Sequence, residues 1–189
     1  RLRLISDLPD DRALGLPPPV PPLRRRLVLA QLVARLLDAQ PDLAPRAATF
    51  DLADSLAQLM DEMQAEEVSV QTIARLDVAN HSEHWARVQA FLGIIAPQLV
   101  DTSNPDAGLR QRLAVERTIT RWQVNPPADP VIIAGSTGSR GTTARLMAAV
   151  AGLPQGALVL PGFDTDMPAP AWEAMSDILT AEDHPQFRY

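Results

Sequence analysis

From Leu23 onward apolar residues recur every three or four positions. Leu29, Leu32, Val33, Leu36 and Leu37 fall on one face and predict an amphipathic helix, which Pro41 and Pro45 end. A second helix is expected over Ala47–Ala65, with Leu52, Leu56, Leu59, Met60 and Met63 on one side. Its methionines suit core filling, being flexible and unbranched. A short helical turn follows near Ser69–Leu76. The third long helix has a marked start: Asn80 can cap it, and Glu83 stands at capping-box spacing. Trp85, Val88, Leu92 and Ile95 form its stripe, and Pro97 lies near its end. A fourth helix spans about Pro105–Trp122, with Leu109, Leu113 and Trp122 apolar, and stops before the loop VNPPADP.

Elsewhere the period is different. Residues 1–6 alternate around Leu2 and Leu4, which predicts a short strand. The following stretch DLPDDRALGLPPPVPP is proline-rich, favouring extended backbone and blocking a helix. It reads as a connector, with a ligand for an aromatic-lined groove as the other reading. Near the other end, Val131–Ala134 is a short continuous apolar run, the mark of a strand buried on both faces. The turn Gly135–Gly141 leads into a helix over Thr142–Ala151. Ala157–Leu160 is a second buried strand, and Pro168–Leu179 a further helix. Strand–helix–strand–helix is a βαβ arrangement with parallel strands. The expected organisation is therefore an N-terminal strand, Pro-rich loop and helix (1–45), a helical segment (46–125) and a βαβα end (126–189).

Composition narrows the chemistry. All 17 basic residues are Arg, so Schiff-base chemistry and a P-loop lysine have no residue to use. Two readings of that usage stand: a GC-rich genome, or selection for guanidinium chemistry. There is no Cys, which removes disulfides, thiol chemistry and iron–sulfur ligation from this chain. Net charge is −6, so any nucleic-acid contact is a local basic patch on an acidic body. No apolar run reaches membrane-spanning length, and the opening RLRLISDL is not a signal peptide. A cytoplasmic location is expected. The start at Arg1 and the ending AEDHPQFRY suggest an interior piece of a longer protein.

The most suggestive segment for binding is the turn Gly135, Ser136, Thr137, Gly138, Ser139, Arg140 and Gly141. A strand that opens through glycines into a helix N-terminus presents backbone N–H groups to an anion. Yet five residues separate Gly135 from Gly141, and Thr142 stands where a Walker A loop needs Lys. The glycines repeat every three residues, which also fails the dinucleotide fingerprint. The alternative is a tight turn with Ser139 as helix cap. Asp164 and Asp166 lie past the second strand, where ligands of parallel sheets gather. They fit Mg²⁺ through waters, or Asp166 as cap of the helix starting near Pro168. His81 and His84 lie three apart, and His184 is distant. They lack the further ligands that zinc requires, so no metal site is expected. No catalytic residue is assigned.

Two Arg groups are candidates for nucleic acid. Arg110, Arg117 and Arg121 are spaced seven and four, one face at helical pitch. Arg24, Arg25 and Arg26 form a second cluster. Both can track phosphates, or be solvated faces paired with Asp and Glu.

The phrases LISDL, LPPPVPPLRRRLVLAQLVARLL, LADSLAQLMDEMQ, NHSEHWARVQAFL and PVIIAGSTGSRGTTARLMAAVAGLPQGALVLPGFDTDMPAPAWEAM together cover almost the whole chain. In that combination the sequence resembles the AddB family, in its alphaproteobacterial form. AddB is a subunit of the AddAB double-strand-break repair helicase–nuclease. The resemblance implies an α/β fold: a P-loop NTPase (superfamily-1 helicase)-like parallel sheet with a mostly helical insertion. It implies a place in processing broken DNA ends before homologous recombination, with DNA and an AddA-type subunit as partners. The parent complex resembles an ATP-dependent helicase and exonuclease. The ATP and Mg sites and the iron–sulfur cluster of that family lie outside this chain. By position, Val131–Ala134 corresponds to the strand that carries the Walker B Asp-Glu in active motors. Here it ends Ala134-Gly135, with no carboxylate for Mg²⁺ or water. The resemblance therefore implies an inactive segment that acts as scaffold and DNA-path lining. Two readings stand beside it: a phosphate- or nucleotide-binding module using the Gly135–Gly141 turn, and a purely structural interaction module.

Overall fold

The computed structural model describes residues 2–75, 82–162 and 166–171. It is a mixed α/β chain, mostly helical, with a two-stranded parallel sheet. It divides into two compact units, Arg1–Ala114 and Val115–Tyr189. This differs from a division at residues 45 and 125. The first long helix, α1 (Pro22–Ala39), belongs with the helices that follow it, because its apolar face packs on α2 (Thr49–Ala65) and α4 (Ser82–Ile95).

In the first unit the helical period sets the core. Along α1, Leu29, Val33 and Leu37 recur every four residues and are buried with Ala30. Along α2, Ala53, Leu56, Met60 and Met63 form the matching stripe. Leu92 and Ile95 of α4 close the cluster with Leu99. Leu32, Leu52 and Leu59, expected on the buried faces, are half-buried at the flanks of this cluster. Full burial of each large aliphatic side chain contributes about 1.5–3 kcal/mol, so this stripe dominates the unit's stability.

Local signals place the helix ends. Pro22 occupies the first turn of α1, where its missing N–H costs nothing. The helix stops at Ala39, ahead of Pro41, with the Gln40 N–H donating to the Leu36 carbonyl at 2.8 Å. The α2 helix ends in a Schellman arrangement. The Val68 N–H donates to the Met63 carbonyl at 2.9 Å, and Glu67 takes a left-handed φ of 55°. Ser69 caps the short α3 (Val70–Ala74) by accepting from the Thr72 N–H at 3.1 Å. Asn80 lies outside the described residues, as does the Trp85 side chain.

The first residues correct the strand expectation. Ile5–Asp10 and Arg12–Leu14 are 3₁₀ helices, and Leu2 and Leu4 are exposed. Among the described residues no strand pairs with this short alternation. Asp7 instead folds the chain back, accepting from the Leu4 N–H at 3.3 Å.

The helix α5 (Ala107–Val124) spans the division between the units. In the second unit, β1 (Val131–Ala134), α6 (Gly141–Ala151) and β2 (Gly156–Val159) form a βαβ unit with parallel strands, as the sequence pattern predicts. Val131 pairs with Gly156 and Ala134 with Val159. The helix α6 packs on both strands, burying Thr142, Leu146, Met147 and Val150. The strands are not buried on both faces. Ile133 is buried, whereas Ile132, Ala134, Ala157 and Val159 on the opposite face are exposed among the described residues. A two-residue side-chain period places those four on the face away from α6. Residues 169–171 are helical, and the rest of the helix expected over Pro168–Leu179 lies outside the described residues.

Candidate functional site

The strand–turn–helix of the second unit is the first candidate. At the end of β1 the Gly135 N–H donates to the Val159 carbonyl at 3.0 Å, and Gly135 then takes a φ of 77°. A Cβ there would meet nothing within 4 Å, so glycine is required by conformation and not by space. Gly138 has a φ of 65° and is buried, and its N–H donates to Ser136 Oγ at 3.2 Å. Thr137, Ser139 and Arg140 are exposed. The helix begins one residue earlier than expected, at Gly141, so its N-cap is Arg140 and not Ser139. The Arg140 side chain makes no cap hydrogen bond.

The turn leads directly into the N-terminus of α6, the positive end of that helix. It carries no lysine, and the position that closes β1 is Ala134. Charge balance at a bound phosphate would fall to Arg140 and the backbone. The strand β1 itself carries no carboxylate at its C-terminal end.

The arginine candidates separate in the structure. Arg25 reaches from α1 to α2, donating to Asp61 Oδ1 at 2.8 Å and to the Ala57 carbonyl at 3.0 Å. Arg26 makes a bidentate pair with Asp54, at 2.7 and 2.8 Å, and stacks over the Phe50 ring at 5.3 Å. Arg110 donates to Asp10 at 2.8 Å and to the Pro17 carbonyl at 2.9 Å. These three guanidinium groups are joined to acceptors of the chain itself. Arg24 is exposed, as are Arg117 and Arg121, which also have interactions within the chain. Arg110 is thus tied to a carboxylate from far earlier in the chain.

Residues that were not singled out in the sequence hold the first unit's polar interior. Asp106 is buried, accepts from the Leu109 N–H at 2.8 Å and lies 3.1 Å from Arg25 Nη2. An Asp directly ahead of a helix was the available signal. Gln64 is buried in α2 and donates to the Leu99 carbonyl at 2.7 Å. A cavity of about 170 Å³ beside Arg25 and Asp106 is also lined by Val20, Arg24, Met60 and Asp101. The Arg25 Nε and Asp106 Oδ2 atoms are sealed from solvent, so a guest in this cavity would not reach them.

Asp164, His81 and His184 lie outside the described residues, and Asp166 is exposed. Among the described residues no group of three or more His, Asp or Glu is placed to hold a metal ion. No described helix is long and apolar enough to cross a membrane. No family model, curated protein or solved structure matches the chain.

Proposed function

We propose that this chain is a helicase-like, catalytically degenerate segment of a DNA end-processing subunit, serving as scaffold and lining for the DNA path. The observation that carries the reading is the β1–turn–α6–β2 unit. It keeps the parallel strand–glycine turn–helix geometry that faces phosphates, but ends its strand on Ala134 and has no lysine. The AddB-like phrases of the sequence support the same reading, and with it an AddA-type partner and a P-loop-like sheet. Phosphate contact would rest on the exposed Arg117 and Arg121, with Arg140 at the turn. The test is fluorescence anisotropy of labelled single-stranded DNA with the whole chain, at low and moderate salt. Binding that weakens on changing Arg117 and Arg121 to Ala supports the reading.

A second reading, a phosphate or nucleotide binder, is favoured by the left-handed Gly135 and Gly138 ahead of α6. It requires heat of binding with ATP or ADP in calorimetry. Silence at millimolar nucleotide removes it.

A further inference from the structure

We infer that the extended segment Leu16–Pro21 is a preformed polyproline ligand for an aromatic-lined groove with an acidic rim. Prolines fix their own φ, and each residue ahead of a proline is held extended. Leu16, Pro17, Pro18, Val20 and Pro21 all precede a proline. Pro21 has φ −56° and ψ 139°, the polyproline region.

A polyproline helix repeats every three residues, which sets Pro17 and Val20 on one edge and Pro18 and Pro21 on another. Pro17 and Val20 are half-buried on the inner edge. Both are tied down there: the Pro17 carbonyl accepts from Arg110, and the Val20 N–H donates to the Pro105 carbonyl at 2.9 Å. Pro18 and Pro21 share one outward edge and are exposed, as is Pro19 beside them; Pro22, also exposed, belongs to α1. The two anchoring bonds fix the segment with its prolines outward. Exposed prolines on an extended segment are the surface that aromatic grooves read, and anchoring reduces the ordering cost of binding.

Immediately beyond, α1 begins with Leu23 at 67% exposure and an exposed Arg24. Arg24, exposed at this end, offers one guanidinium that a carboxylate on the partner's rim would meet. The partner class is a small domain of SH3 type, whose groove combines stacked aromatic rings with an acidic pocket.

The test is an NMR titration of the whole chain with an SH3 domain carrying an aromatic groove and an acidic pocket. Saturable binding is expected, with shift changes centred on residues 16–24. Changing Pro18 and Pro21 together to Ala should weaken it by roughly tenfold or more, and Arg24→Glu likewise. Pro41→Ala, in the distant loop after α1, should leave it unchanged. Circular dichroism melting checks that each variant is folded, and Arg24→Glu keeps the test decisive if the proline variant is not. No saturable binding at millimolar domain, or binding indifferent to both the proline and Arg24 changes, overturns the inference.

Discussion

Asp106 holds Arg25 and the start of α5 with its two carboxylate oxygens. One accepts from the Leu109 N–H at 2.8 Å, and the other lies 3.1 Å from Arg25 Nη2. The side chains are 6% and 16% exposed, so neither is well hydrated if the other is removed. Asp106→Ala deletes a helix cap and leaves a mostly buried guanidinium with fewer acceptors. We expect a loss of about 2–3 kcal/mol, read as a lower urea midpoint. Asp106→Asn keeps an oxygen for the cap and should lose less.

Gly156 begins β2 where the chain returns from α6. A Cβ on it would run into the Val150 carbonyl group, which is backbone and cannot rotate away. Gly156→Ala should therefore shift either the α6 C-terminus or the strand register. The expected cost is about 2 kcal/mol or more, measured as a drop in Tm, with altered amide shifts at Val131 and Gly156.

Glu67 shows the opposite case. It occupies the left-handed position of the α2 C-terminus at φ 55°, where a side chain is strained. Glu67→Gly should stabilise the chain by about 0.5–1 kcal/mol, relief of strain outweighing the unfolded-state entropy of glycine. An unchanged or lower urea midpoint would show that the Glu side chain matters more than its backbone.

Acid sensitivity has two named sources. The Arg26 hydrogen bonds hold the Asp54 carboxyl below the usual range. For Asp101 the Asn104 side chain does so first, helped by the Ser103 and Asn104 N–H groups. Because both folded-state values are lowered, the stability they add is present above the ordinary aspartate range. It is lost as the pH falls through the lowered values. Carboxyl NMR titrations should show both midpoints below that range, and Asp101→Asn should flatten the acid limb of the stability curve. Salt should weaken the Asp54 effect, since that pair is exposed.

Periodicity made α1, α2, α5 and the βαβ unit legible to within a few residues, because each buries an apolar stripe of its own period. It failed at Leu2 and Leu4, where alternation without a partner strand carries no pairing energy. It overstated the burial of Ile132 and Val159: an apolar run names a strand, but not which layers cover it. The arginines were the least legible. Arg110 and Asp10 are adjacent in space and far apart in sequence, and helical spacing alone grouped Arg110 with Arg117 and Arg121. Arg110→Ala is accordingly expected to lower stability, which makes it a poor probe of DNA binding.

The most direct test of the proposed DNA-lining role is anisotropy of single-stranded DNA with the whole chain as salt is raised. Binding at low salt should weaken linearly on a log–log plot as salt is raised. The Arg117→Ala/Arg121→Ala variant should lower that slope by about 1.4, the loss of two single-strand phosphate contacts. Absence of binding at low salt, or a slope the double variant leaves unchanged, would contradict it.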